Sequence, residues 1–253
     1  MCLITFAWKH HPNYQLILVA NRDEFYERPT APLGYWNDNP DILGGRDLKE
    51  GGTWMGMHRS GRMTAITNHR DLTNIKASAP SRGNLTKDFL AGTQSSPSFY
   101  EGVIGRLDLF NGFNLLTLEN NELYYFNNIQ KELLQVKPGI YGLSNAFLDT
   151  PWPKVQKAKR YFEATLKKDH PSATEMIEWM GDGELAPDEQ LPATGVSADW
   201  EKQLSAMCIK TENYGTCCTT VITIDHGGGV EYTEKTYAVG NRKPGTVRVQ
   251  FPK

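Results

Sequence analysis

Residues 1–25 read MCLITFAWKHHPNYQLILVANRDEF. Two apolar runs, CLITFAW and QLILVAN, flank the turn-forming KHHPNY, and together they signal a β-hairpin. Both runs are too dense in apolar residues for strands with one wet face, so each is expected to be buried on both faces or nearly so. Asn21, Arg22, Asp23 and Glu24 then stand consecutively at the end of the second run. Burying such groups unpaired is costly. They form either a solvated strand end with a structural ion-pair network, or one wall of a cleft. A hairpin centred on HHPN sets Cys2 roughly opposite Asn21–Asp23 and so places a thiol beside a cation and a carboxylate.

Cys2 itself has two readings. A cysteine in a β-strand is ordinarily a small packing residue. Removal of Met1, which methionine aminopeptidases carry out before small residues, would instead make it the amino-terminal residue, with a thiol and a free α-amine. An ordinary thiol titrates near about 8.5 and an α-amine near about 7.7–8.0. A neutral amine can therefore take the thiol proton near neutral pH and return it to a leaving nitrogen, with no histidine base. Asp23 suits the task of fixing the amine, and Arg22 that of favouring the thiolate and holding a polar substrate group. Asn68 and Asn145, amides at strand ends, suit the donors a tetrahedral intermediate needs.

The rest of the chain reads as strands, two helices, strands, two or three helices, then strands. APLGYWNDNPDILGGRDLKEGG is expected to be long loops with at most short strands. TWMGMHR and RMTAITN form a second hairpin. SRGNLTKDFL and SPSFYEGVIGRL form helices, the latter capped at Ser98 with Glu101. NLLTLEN and ELYYFN pair through Asn120-Asn121, and ELLQVK pairs with GIYGLSN around Pro138-Gly139. A helix starts at Thr150-Pro151 and runs to about Leu166. Another starts at Ser172 with Glu175, and a third lies in ADWEKQLSAMCI. CCTTVITI and VEYTEKTYA close the pattern. This order lacks the regular alternation of a doubly wound sheet or a barrel. It points to an α+β fold of two antiparallel sheets packed together with helices outside, in one domain spanning residues 1–253.

Composition excludes several classes. A formal net charge of -2 and the lack of a basic stripe argue against nucleic acid. No run approaches the roughly 20 apolar residues of a membrane span, and MCLITFAW lacks the basic flank of a signal peptide, so the expected compartment is cytoplasmic. The four cysteines, Cys2, Cys208, Cys217 and Cys218, make neither a disulfide framework nor a zinc pattern. GGRDLKEGG lacks the GK[ST] ending of a phosphate loop. It reads as a loop with glycines at positive φ, or as a pocket wall in which Arg46 and Trp54 face a ligand. His69 is a surface or packing histidine, or a substrate contact beside Asn68.

MCLITF, NRDEFYERP, GGTWMG, TNHRD, YGLSNAFLDTPWPKV and YGTCCTTVI together resemble the NRDE-motif family, the transport and Golgi organisation protein two family. The likeness runs from residue 1 to roughly residue 240. That family in turn resembles the choloylglycine hydrolase and penicillin V acylase group of amino-terminal-nucleophile hydrolases. The resemblance implies a four-layer α-β-β-α fold and a small linear amide as substrate, with no metal or cofactor. It also implies roles: Cys2 as nucleophile, Asp23 orienting its amine with Asn21 and Arg22 adjacent, Asn68 in the oxyanion hole, and Asn145 as a second active-site asparagine. Relatives commonly show YGTR where this chain has YGTC, so Cys217 stands at the expected arginine, with a second thiol placed near Cys2. Arg242, in GNRK, is read as too far along to replace it. The alternative implied by the resemblance is a non-catalytic protein that binds or carries haem or a lipid-like acyl compound.

Overall fold

The computed structural model describes residues 2–72 and 75–252. Along the chain, β1 (Cys2–Trp8) and β2 (Tyr14–Phe25) form the opening hairpin. They are followed by β3 (Thr30–Tyr35), β4 (Ile42–Asp47), β5 (Met55–His58) and β6 (Met63–Asn68). Helices α1 (Gly83–Ala91) and α2 (Ser96–Ile104) precede β7 (Phe113–Glu119), β8 (Glu122–Asn127), β9 (Glu132–Gln135) and β10 (Gly139–Leu143). Then come α3 (Pro153–Thr165), α4 (Ala173–Met180), α5 (Ala198–Leu204), β11 (Tyr214–Asp225), β12 (Gly229–Thr236) and β13 (Gly245–Pro252). No helix among the described residues is long and apolar enough to cross a membrane. The chain divides into two compact units: one runs from its start to Glu27 and from Pro138 to Pro252, the other from Arg28 to Lys137.

The first unit is built on a six-stranded antiparallel sheet in the order β10-β1-β2-β11-β12-β13. Side chains alternate across a strand, and the alternation sorts this sheet cleanly. Leu3 and Ala7 of β1, Ile17 and Val19 of β2 and Val221 of β11 form one apolar cluster with helical residues. Those are Val155, Ala158 and Phe162 of α3, and Met176, Ile177 and Met180 of α4. The intervening residues, Ile4, Phe6, Leu16 and Leu18, point to the other face and are also buried. Both faces of the opening hairpin are therefore covered, as the density of its apolar runs requires. Lys9 takes the left-handed conformation at the turn, and its amide donates to the Gln15 carbonyl at 2.8 Å.

The second unit is a seven-stranded antiparallel meander, β3 through β9 in sequence order. Its main apolar cluster joins Leu85 and Phe89 of α1 and Phe99 and Val103 of α2 to Ile66, Phe113, Leu115 and Phe126 of the sheet. Asn120 and Asn121, both at positive φ, make the two-residue β7–β8 turn.

Several elements differ from the sequence expectation. The stretch expected as long loops with at most short strands forms two strands of six residues each, β3 and β4. Gly44 and Gly45 lie within β4 and are not among the positive-φ glycines, which include Gly51. They are glycines for space: a Cβ on Gly44 would lie 2.8 Å from the Met55 carbonyl oxygen, and one on Gly45 2.3 Å from the Trp54 ring. Strands β9 and β10 do not pair with each other. β9 joins β8 and β10 joins β1, so Pro138 marks a crossing between units rather than a hairpin. The cap of α2 is Ser95, whose hydroxyl accepts from the Ser98 amide. Helix α3 starts at Pro153 rather than at Pro151. β13 is a strand that the sequence pattern did not signal.

Candidate active site

The register of the opening hairpin decides the site. Cys2 is level with Arg22 and Leu3 with Asn21. On the other side of β2, Arg22 is level with Cys218 of β11. Cys2, Arg22 and Cys218 thus form one cross-strand row, on the face away from the helices. One step beyond that row stands Asp23, on the side toward which the Cys2 backbone nitrogen points, because the strands run antiparallel. Arg22 is buried, and its guanidinium lies 3.5 Å from the Glu24 carboxylate.

Asp23 is 1% exposed and held by β11: its carboxylate accepts from the Thr216 hydroxyl at 2.6 Å, and its carbonyl from the Tyr214 hydroxyl at 3.3 Å. The pairing of β2 and β11 slips between Thr216 and Cys218, leaving Cys217 as the extra residue of a β-bulge. Such bulges re-aim side chains at the ends of pairing. Here the bulge keeps Thr216 on Asp23 while returning Cys218 to the Arg22 row.

The other side of Cys2 is set by the chain leaving β10. Leu143 is level with Ile4, and the next two residues come alongside the head of β1. The Ser144 hydroxyl lies within donating distance of the Cys2 carbonyl, at 3.1 Å, and of the Asn145 side-chain oxygen, at 3.3 Å. Asn145 is fully buried. Residues 144–152 then lead into α3, whose first turn carries Lys154, 2% exposed.

Burial is the largest influence on each titrating group here. Burial pushes the Cys2 thiol above its ordinary range, the Asp23 charge adds to this, and Arg22 opposes it. Burial also pushes the Asp23 carboxyl up, against the pull of Lys154, Thr216 and Arg22. Burial and then the Glu234 charge raise the Cys218 thiol well above its usual value. A neutral Cys2 thiol, half-buried at the head of β1, is a weak nucleophile until a base takes its proton.

Cys2, Arg22, Asp23 and Asn145, all expected at the site, lie together in this unit. Asn21, expected to touch substrate, does not face the Cys2 row. It lies on the helix side, donating to the carbonyls of Met180 at 2.9 Å and Met207 at 2.8 Å and accepting from Thr219. The thiol expected beside Cys2 was Cys217, but Cys218 shares its row, one strand removed. Two strand spacings are about 9–10 Å, beyond the reach of a disulfide, and all four cysteines are free. Arg242, read as too distant, comes to this same end of β11. The 239–242 turn sets Gly240 against Tyr26, and the Arg242 guanidinium donates to the Tyr26 carbonyl at 2.9 Å. Burial raises the Cys217 thiol, and Arg242 is the strongest charge opposing it. Ser144, Thr216 and Lys154 were not singled out from the sequence. A lysine in the otherwise apolar helix start PWPKV was the one available signal.

Asn68, His69, Arg46 and Trp54 belong to the second unit. Asn68 ends β6, level with Phe113. The Asn127 side-chain oxygen accepts from the amides of Ile129 and Gln130, which turns its NH2 toward His69 Nδ1 at 3.3 Å. His69 is thereby an acceptor at Nδ1, and in its neutral form carries its proton on Nε2. Burial lowers its pKa, against the Asp71 charge. Arg46, expected in a pocket wall, is instead ion-paired with Asp38 and stacked on Trp36 at 4.4 Å. Trp54, expected to face a ligand, packs its ring over Gly45.

A family model described as Transport and Golgi organisation 2 matches residues 1–239. The Transport and Golgi organization protein 2 homolog of Bos taurus is 35% identical over 256 residues, covering 93% of this chain and 92% of its own. The Homo sapiens homolog is 34% identical over 256 residues, with the same 93% and 92% coverage. Among solved structures, the C2A mutant of conjugated bile acid hydrolase from Clostridium perfringens matches with a TM-score of 0.53 over 99% of this chain and 97% of its own, at 11% identity. At that identity the likeness is one of fold: α+β, with antiparallel sheets flanked by helices.

Proposed function

The chain belongs to the Transport and Golgi organisation 2 family, and from that premise we propose that it is a cysteine amidohydrolase that cleaves a small linear amide through Cys2 after removal of Met1. Met1 lies outside the described residues. The observation that carries the reading is the register: Cys2 level with Arg22, and Asp23 one step beyond, toward the Cys2 nitrogen. The fold likeness to a conjugated bile acid hydrolase studied as a C2A mutant supports it.

In this reading the freed α-amine, neutral and held by the Asp23 carboxylate, takes the proton from Cys2 Sγ. The thiolate attacks the amide carbon, and the side-chain NH2 of Asn145 donates to the developing oxyanion. The ammonium returns the proton to the leaving nitrogen as the C–N bond breaks, leaving an acyl thioester. The amine then takes a proton from water, whose oxygen displaces the sulfur and releases the acid. The raised Cys2 thiol supports the need for this base, since little thiolate forms without it. The ammonium gives the water proton to the departing sulfur, which restores the neutral thiol, and Arg22 stabilises the thiolate only while it exists within the cycle. In this reading the whole chain, residues 1–253 less the removed Met1, acts as one catalytic domain.

The test is an amide-hydrolase substrate screen on mass-verified, Met1-free protein, beside Cys2→Ser. Turnover that falls at least about 100-fold in Cys2→Ser supports the reading. Equal turnover in the two proteins, or no turnover with stoichiometric binding of haem or an acyl compound, overturns it.

A further inference from the structure

A lysine ammonium is almost never fully buried without a partner. Lys154 is 2% exposed, in the first turn of α3, and α3 packs on β1, the strand that carries Cys2, and on its neighbour β10. The connection from β10 to α3 therefore delivers three side chains to one end of the sheet: Ser144, Asn145 and Lys154. Asp23 lies on the helix-facing side of β2, the side on which Asn21 reaches the Met180 carbonyl at the end of α4. The groups that act on or feel Asp23 are Arg22 of β2, Tyr26 beyond it, Cys2 of β1, Thr216 and Cys217 of β11, Cys208 before it, and Lys154. Two of these are cations. Arg22 stands on the opposite face and is engaged by Glu24 at 3.5 Å. Lys154 is the cation on the same side as the carboxylate.

We propose that Lys154 is a positioning residue of this site: its ammonium is the counter-ion that keeps Asp23 ionised in the buried layer, ready to receive the Cys2 amine. The proposal deepens the amine-base reading and rests on it for its catalytic meaning. Burial drives the Asp23 carboxyl upward, and Lys154 is the strongest charge pulling it back. A fixed cation in this layer has a second effect. It disfavours protonation of the adjacent amine, and so holds more of that amine in the neutral form that removes the thiol proton. In this role Lys154 acts through Asp23.

Two measurements test this, and the first needs no substrate. In a double-mutant cycle on folding stability, Lys154→Met and Asp23→Asn each perturb folding. Their combination, which removes both charges, should be more stable than the sum of the single effects by about tenfold or more in the folding equilibrium constant. Additive effects overturn the proposal. The second is the pH profile of kcat/KM. Lys154→Met should move the acid limb at least about one pH unit higher, the low end of what an adjacent opposite charge does, and Lys154→Arg should restore it. An unmoved limb overturns the proposal. Should Lys154→Met alone fail to fold, recovery of folding in the double variant with Asp23→Asn supports the proposal, and a double variant that also fails to fold overturns it. A coupled cycle in a protein without turnover would refute the amidohydrolase reading while leaving the Lys154–Asp23 pair standing.

Discussion

Replacing Asp23 with asparagine should change how stability depends on pH, with a sign that follows from the site. The change keeps the shape and an oxygen able to accept from Thr216, so it removes mainly the titration. In the folded protein burial outweighs Lys154, Thr216 and Arg22, and the carboxyl titrates above its ordinary value. The native state therefore holds this proton to higher pH than the unfolded chain does. The resulting stabilisation is complete below the unfolded value of about 3.9. It is lost as pH rises through the folded pKa, and above that the penalty is constant. Each pH unit of that window corresponds to about 1.4 kcal/mol. Because Asp23 is fully buried, the effect is not diluted by solvent. Against domain stabilities of about 5–15 kcal/mol it is measurable. Urea unfolding of wild type and Asp23→Asn between about pH 4 and 8 should show the variant gaining on wild type as pH rises, and then running parallel. A difference that is flat across the range would refute a buried, upward-shifted Asp23. One that grows in favour of wild type with rising pH would mean that the carboxylate is held below its ordinary range.

Three further outcomes follow. Asn21→Leu should destabilise the protein by about 2–5 kcal/mol, since two buried carbonyls lose this donor, while the Thr219 hydroxyl keeps Tyr237; a change under about 1 kcal/mol in urea unfolding would contradict the helix-side placement. Mild oxidation should give no Cys2–Cys218 crosslink, because a strand separates them; a disulfide peptide joining them, found by mass spectrometry under native conditions, would contradict the row. Asn145→Ala, which removes the proposed oxyanion donor, should lower kcat by about 10²–10³-fold; unchanged kcat with raised KM would assign Asn145 to substrate binding instead.

The opening hairpin was legible because periodicity and turn chemistry agreed, and its register followed from centring it on HHPN. That alone brought Cys2 to Arg22. The face each residue takes was less legible. A shift of one residue exchanges the two faces of a strand, so the letters NRDE could not say that Asn21 serves the helix layer while Arg22 serves the Cys2 row. The bulge at Cys217 was hidden for the same reason, since one extra residue in a twelve-residue strand leaves no mark in an apolar run. The glycines of β4 were misread as loop formers because a glycine needed for close approach looks the same in sequence as one needed for positive φ. Lys154 and Arg242 reach the Cys2 end of the sheet through tertiary packing of α3 and of the 239–242 turn, which no local pattern encodes.

The central claim is that Cys2 is a nucleophile activated at the chain's amino terminus. Its most direct test is site-mapped labelling of mass-verified protein by an electrophilic acyl-amide probe, comparing Met1-free molecules with molecules that retain Met1. The account predicts a label on Cys2 in the Met1-free form and little in the other. Labelling confined to Cys208, Cys217 or Cys218, or equal labelling of Cys2 in both forms, would contradict it.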